Sequence, residues 1–156
     1  MLSIRAPSTA IMTAASSNGF APDAPKALFM SAVFYLAWVI AIVLVVVGIY
    51  ALVAPRALAR AYGVAVEGHE AHGYVRATGI RDVALGVALG ATAYFQYLPL
   101  LIVLSVAAIA VSVADLWIVW HHGGHARRLH PAHAIHASGI VAFILIIAMA
   151  LFAVGK

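Results

Sequence analysis

The sequence predicts an all-α membrane protein with four transmembrane helices in an up-down bundle. Of the 156 residues, 65% are apolar and only 9% are charged, and the mean hydropathy is +1.06. Four apolar stretches reach the about 20 residues that a helix needs to cross a bilayer core about 30 Å thick. They lack the alternation of a barrel strand, and only helices or closed barrels satisfy the backbone in lipid. The predicted spans are residues 27–53, 74–95, 98–120 and 132–154.

Residues 1–26 are predicted to form a disordered tail, and residues 27–156 a single transmembrane domain. The tail is rich in Ser, Thr, Pro and Ala, and Arg5 is its only basic residue before Lys26. A secretory signal needs a basic start and an apolar core of about 7–15 residues. The apolar piece of the tail is short and broken, so we expect no cleaved signal and take the first span as a membrane anchor.

The segments between the spans carry turn and helix-start signals. In the loop 54–73, Pro55 favours the first turn of a short interfacial helix over residues 56–62. The link around residues 96–99 is short and uncharged, which predicts an antiparallel hairpin of the second and third spans. The last loop, 121–131, is basic and rich in histidine, and Pro131 suits the start of the fourth span.

Nearly all histidines and acidic residues are predicted to lie on one side of the bundle. The end of the first span, the start of the second, the end of the third and the start of the fourth must face one compartment. Lys and Arg near the helix ends favour the cytoplasm for this side. We therefore expect a protein of the bacterial inner (cell) membrane with both termini outside the cytoplasm. The side receives all eight histidines and four of the five acids: His69, His72, His121, His122, His125, His130, His133, His136, Glu67, Glu70, Asp82 and Asp115.

The second span is predicted to carry ionised groups into the membrane. Its clean apolar run, residues 83–95, is too short to cross, so residues 74–82 must enter as well and bring Arg76, Arg81 and Asp82 with them. A charge at such depth costs about 2.5–3.5 kcal/mol on insertion scales and therefore needs a protein partner or a water-filled cavity.

Helix geometry predicts how the second span faces its neighbours. Gly79, Gly86 and Gly90 share one face, and the last two have the GxxxG spacing that allows close helix contact. Arg76 and Asp82 flank this glycine face, whereas Arg81 is expected to point elsewhere, toward a second neighbour or the membrane surface.

Groups on the third and fourth spans are predicted to meet these charges. Asp115 lies five residues before Trp120, the end of the third span, which is about 7.5 Å along the helix at 1.5 Å per residue. His122 lies on nearly the same side of that helix. His136 lies at a similar depth in the fourth span. The candidate catalytic residues are therefore Asp82, Asp115 and His136, and the candidate substrate-binding residues are Arg76, Arg81 and His122.

Two functions of different classes remain open for this cluster. The first is a non-catalytic, structural or accessory membrane protein in which balanced ion pairs fix helix packing. The second is a small membrane enzyme that performs acid–base chemistry, such as isomerisation or cyclisation, on a lipophilic substrate. There Asp82 or Asp115 would be the acid or base, His136 the proton partner and Arg76 the anchor. A transporter or a metal- or haem-binding subunit is a weaker alternative.

The composition excludes several other classes. The chain has no cysteine, which removes disulfides and thiolate ligands. Histidine pairs such as His121–His122 are loosely similar to the boxes of di-iron hydroxylases, but most of these histidines fall in short loops, so no metal or other cofactor is expected. The dispersed arginines do not indicate nucleic-acid binding. The expected partners are the lipid bilayer, a lipophilic small molecule, and other membrane proteins or a second copy of the chain.

Four stretches resemble a family of small, four-helix, mostly bacterial membrane proteins classed only as a domain of unknown function. The most specific is an R-x-x-G-I-R-D-x-x-x-G pattern, here running from Arg76 to Gly86. Asp115 and His136 match the acidic and histidine positions of the family, whose pattern lacks the additional histidines. The resemblance implies a four-helix fold with a polar cluster and no established activity. The stretches are ALVAPRALARAYGV (51–64), YVRATGIRDVALG (74–86), VADLWIV (113–119) and HASGIVAF (136–143).

Overall fold

The structure, a computed structural model, describes residues 24–61, 69–122 and 131–155, and its secondary structure there is entirely helical. Three of the helices contain a segment long and apolar enough to cross a membrane: Ala24–Val53, Leu98–Ile118 and His133–Val154. This all-helical architecture with three candidate spans indicates an integral membrane protein. The helices are α1 (Ala24–Val53), α2 (Pro55–Ala61), α3 (His69–Tyr94), α4 (Leu98–His122) and α5 (Pro131–Val154).

Proline sets the boundaries of the first two helices. α1 ends at Val53 because Ala54 precedes Pro55, and the residue before a proline disfavours helical geometry. Pro55 then begins α2, where its missing N–H costs nothing. The Ala54 carbonyl accepts the Ala57 amide at 3.0 Å, so the two helices follow each other almost directly. α2 confirms the short helix predicted after the first span.

α3 begins earlier than the sequence pattern indicates. The predicted loop 54–73 is wrong at its end, because His69 to Gly73 already form the first turns of α3. No proline interrupts this segment, and its His72 side chain is only 9% exposed, so packing stabilises the added turns. α1 likewise begins at Ala24, three residues before the predicted span. The rest of the predicted tail lies outside the described residues.

A tight turn joins α3 to α4. Gln96 adopts a left-handed backbone conformation with φ of 52°. The Tyr97 amide donates to the Thr92 carbonyl at 3.1 Å, and the Gln96 amide donates to the Ala93 carbonyl at 3.2 Å. This pair of bonds is a Schellman motif, which satisfies the last carbonyls of a helix and reverses the chain.

Glycines bring α1 and α3 into close antiparallel contact. A Cβ atom built on Gly79 would lie 2.7 Å from the Gly48 carbonyl oxygen, and one built on Gly86 would lie 2.8 Å from that of Ala41. Since contacts under 3.0 Å are not tolerated by real Cβ atoms, the helices pack backbone against backbone along this stripe. The predicted glycine face of α3 is therefore its contact with α1.

The core is small, and many large apolar side chains lie on the outside. Such an exterior suits a protein surrounded by lipid, because lipid tails are as apolar as the side chains that face them. The buried core comprises Val33, Phe34, Ala37, Ala41, Leu89, Ala93, Leu101, Ala108, Phe143, Ile146 and Ala150. The exposed large residues include Val39, Ile42, Val46, Val87, Val103, Val106, Val141 and Leu151.

Substituting Gly86 by Ala should lower the free energy of unfolding in detergent by about 1–3 kcal/mol, because the new methyl group overpacks the α1–α3 contact. Gly90→Ala is the matched control on the same stripe. Its Cβ would meet its nearest neighbour, Ala41 Cβ, at an ordinary 3.6 Å. Denaturant titration of both variants checks this, and equal stabilities for them would contradict the assigned packing.

Candidate functional site

Arg81 joins α3 to α4 through two carboxylates. Its Nη1 and Nη2 atoms donate to Asp115 Oδ1 and Oδ2 at 3.2 and 2.9 Å, a two-pronged pair between the helices. Its Nε and Nη2 atoms also donate to Asp82 Oδ1 at 3.2 and 3.1 Å. Such paired, charge-assisted bonds are the strong class of hydrogen bond and fix the orientation of both groups. All three nitrogens of the guanidinium thus donate hydrogen bonds to carboxylates.

His136 brings α5 to the same place. Its Nδ1 atom lies 4.0 Å from Asp115 Oδ2, near enough for electrostatic attraction when the imidazole is protonated but too far for a hydrogen bond. One helical turn later, Gly139 leaves room for α4, because a Cβ there would lie 3.6 Å from Ser112 Oγ. We call Arg81, Asp82, Asp115 and His136 the Arg81 cluster.

The Arg81 cluster is only partly shielded. The Arg81 side chain is 38% exposed, while those of Asp82, Asp115 and His136 are 18%, 19% and 20% exposed. The two carboxylates outnumber the single arginine, so the cluster is neutral when one proton resides on His136 or on a carboxyl group. Asp82 Oδ2 accepts no hydrogen bond from any residue within the described ranges. The cluster therefore offers one open acceptor, and one bound proton would make it neutral.

Arg76 does not join the Arg81 cluster. Its side chain is exposed and forms no hydrogen bond or ion pair with the part of the chain that the structure describes. The glycine face, which Arg76 flanks, packs on α1, whose only charged residue is Lys26 at its opposite end. Arg81 lies about 140° around α3 from Arg76, on the side of α4. Both arginines were predicted as site residues. The structure brings in Arg81, which faces α4 as its second neighbour and binds both aspartates, whereas Arg76 lies apart from them.

The structure brings some of the other predicted site residues together and leaves others outside the described residues. Asp82, Asp115 and His136 come together as predicted, from three helices at one level. His122 is the last residue of α4, and its side chain lies outside what the structure describes. His125 and His130 fall outside the described residues altogether. Among the residues that are described, no group of three His, Asp or Glu side chains is arranged to hold a metal ion.

Several histidines occupy helices rather than loops and contact specific neighbours. His72 Nε2 accepts a hydrogen bond from Arg56 Nε at 3.1 Å, which links α3 to α2. The ring of His121 lies 4.4 Å from that of Trp117. Sequence reasoning missed both contacts. The four-residue spacing of Trp117 and His121 on one helix is a usable signal, whereas the Arg56–His72 pair depends on how α2 folds back.

Comparison with known protein families gives a match over most of the chain. A family model described as a domain of unknown function, DUF4267, matches residues 41–151, which covers most of the chain and includes the whole Arg81 cluster. No curated protein matches the chain, and no solved structure matches it either.

The link between α3 and α4 should appear as coupling in a double-mutant cycle of Arg81→Gln and Asp115→Asn. Hydrogen bonds to charged groups contribute about 1.5–3 kcal/mol, and partial exposure weakens them. We expect Arg81→Gln to lower the free energy of unfolding in lipid-free detergent by about 2 kcal/mol, with a coupling of about 1–2 kcal/mol.

Arg76→Gln is the matched control for this cycle, because it removes a guanidinium from the same helix away from the cluster. Its effect on stability should stay within about 0.5 kcal/mol. Additive effects of the two cluster substitutions, or equal losses for Arg76→Gln and Arg81→Gln, would show that the ion pair does not join the helices.

Proposed function

We propose that this chain, which belongs to the DUF4267 family, is a polytopic membrane protein with α3 as its fourth crossing helix. The 26 residues of α3 span about 39 Å at 1.5 Å per residue, more than a bilayer core requires. Its antiparallel contact with α1 and its tight turn into α4 support an up-down bundle of α1, α3, α4 and α5. The proposal places the protein in a bacterial inner membrane with both termini outside the cytoplasm.

We propose that the Arg81 cluster serves chiefly to hold this bundle together, in a structural or accessory membrane protein. The two-pronged Arg81–Asp115 pair carries the proposal. α3 packs extensively along α1 but far less along α4. The pair is therefore the specific link across the weaker interface, and it lets Arg81 and Asp82 enter the membrane without facing lipid as bare charges.

The absence of native cysteine allows a clean test of the four crossings. Single cysteines at Ala57 in α2 and at Tyr97 after α3 should lie on opposite sides of the membrane. In intact cells a membrane-impermeant maleimide should label the Tyr97→Cys variant, and should label Ala57→Cys only after lysis. His121→Cys, at the end of α4, should behave like Ala57→Cys. Equal labelling of Ala57→Cys and Tyr97→Cys would rule out a crossing by α3.

The open acceptor on Asp82 favours a second candidate, a small enzyme with acid–base chemistry on a lipophilic substrate. Asp82 Oδ2 is unbound within the described ranges, and the cluster carries one carboxylate more than Arg81 can balance. Asp82 or Asp115 would accept a proton from the substrate, and His136 would take it up or return it. Surrounding apolar helices would admit only a lipophilic molecule.

Two conservative substitutions separate these candidates. Asp115→Asn should weaken the link to Arg81 and lower thermal stability and expression. Asp82→Asn keeps an amide oxygen that can accept from Arg81, so its stability should stay near that of the wild type. Lipid extracts of cells expressing each form provide the second readout. A difference in lipid composition between cells with wild type and cells with the stable Asp82→Asn variant would establish chemistry at the cluster. Identical lipid extracts would rule out the enzyme and support a purely structural role.

A further inference from the structure

Among the residues that the structure describes, the arginines with nitrogens left to donate to an anion lie outside the Arg81 cluster. Every nitrogen of Arg81 already donates to a carboxylate, so this arginine has little left to offer an anionic group. Three other arginines are exposed near the ends of α2 and α3: Arg56, Arg60 and Arg76. We propose that these three, named here the basic patch, bind the phosphate of an anionic phospholipid head group.

α2 presents two of these arginines together. Its Pro55, Leu58 and Ala59 are buried against the protein, whereas Arg56 and Arg60 are exposed. The two arginines are four residues apart, so they project from the same face of the helix. Arg60 Nε lies 3.4 Å from the Arg56 carbonyl oxygen, which keeps the second side chain beside the first. α2 is thus anchored by its apolar side and cationic on its outer side.

His72 orients Arg56 and connects it to α3. The guanidinium can only donate, so the His72 Nε2 atom accepts the Arg56 Nε–H at 3.1 Å. The terminal nitrogens of Arg56 form no hydrogen bond with the described residues. Arg76 follows His72 by one turn on the same face of α3. The hydrogen bond thus brings α2 and the Arg76 side of α3 together.

Tyrosines place the basic patch at the membrane surface. Tyr50 in the last turn of α1 and Tyr74 in the early part of α3 are both exposed. Tyrosine is enriched where the hydrocarbon core meets the head groups. Arg56 follows Tyr50 by six residues, and Arg76 follows Tyr74 by two, so the guanidinium groups reach the layer that contains lipid phosphates.

The chemistry of the basic patch suits an anionic lipid head group. The guanidinium fork binds two phosphate oxygens at once. The carboxylates of Asp82 and Asp115 are already bound to Arg81 and do not compete. Each basic residue near an anionic membrane surface contributes about 1 kcal/mol of attraction. This inference rests on the proposed insertion of the chain in a membrane, and it does not require the Arg81 cluster to have any particular role.

The test measures lipid retention by the full chain in detergent. Native mass spectrometry would follow binding of phosphatidylglycerol, which is anionic, and phosphatidylcholine, which is zwitterionic, with inorganic phosphate added as competitor. We expect wild type to prefer phosphatidylglycerol and inorganic phosphate not to displace it. The double variant Arg56→Gln, Arg76→Gln should bind phosphatidylglycerol about 10- to 30-fold more weakly, since two contributions are lost. Arg60→Gln alone should weaken binding about fivefold by the same reasoning.

Lys26→Gln is the matched control, because it removes one positive charge at the opposite end of α1 and should change binding less than twofold. Thermal stability without lipid identifies any variant that fails to fold. Unchanged phosphatidylglycerol binding by the folded double variant would overturn the proposal, as would equal binding of phosphatidylcholine or displacement by inorganic phosphate. Arg81→Gln should still bind phosphatidylglycerol, and the cysteine labelling reports insertion separately, so failure of one proposal is distinguishable from failure of the other.

Discussion

For the proposed four-helix insertion, the cost of an ionised side chain in lipid governs the arrangement of the helices more than any other interaction. α1, α4 and α5 meet the membrane with apolar surfaces, but α3 carries Arg81 and Asp82 seven or more residues beyond its exposed Tyr74. Those charges require partners inside the protein. Asp115 on α4 supplies the main one, at 2.9 Å from Arg81. The position of α4 beside α3, and the approach of α5 with His136, both satisfy this requirement.

α3 is divided into two sides with different physical roles. On one side, glycines allow backbone contact with α1, an interface stabilised by close packing in which a methyl group added at Gly79 or Gly86 is already too large. On the other side, the Arg81 cluster joins α4 by directional hydrogen bonds across a sparser interface. Close packing with α1 sets the rotation of α3, and that rotation aims Arg81 at Asp115.

Arg76 and Arg81 lie five residues apart yet face different surroundings. Arg81 is saturated by carboxylates, whereas Arg76 is exposed on the side of His72 and α2. This separation supports two independent proposals, one for helix association within the bundle and one for lipid head groups at its surface. Because Arg76 stays outside the Arg81 cluster, the cluster has two carboxylates and one arginine. This excess of one carboxylate is the chemical basis of the enzyme alternative.

The sequence by itself determined which segments form helices, apart from the first turns of α3. It also determined the α3–α4 hairpin and the need of the charges on α3 for partners, because hydropathy, proline and the cost of buried charge act locally along the chain. It also identified Asp115 and His136 as groups at the right depth, since depth follows from the rise per residue. Which arginine meets them was decided only by tertiary structure. The rotation of α3 depends on glycine contacts with α1, and 140° of rotation separates Arg76 from Arg81. The Arg56–His72 bond was equally hidden, because it depends on α2 folding back against α3.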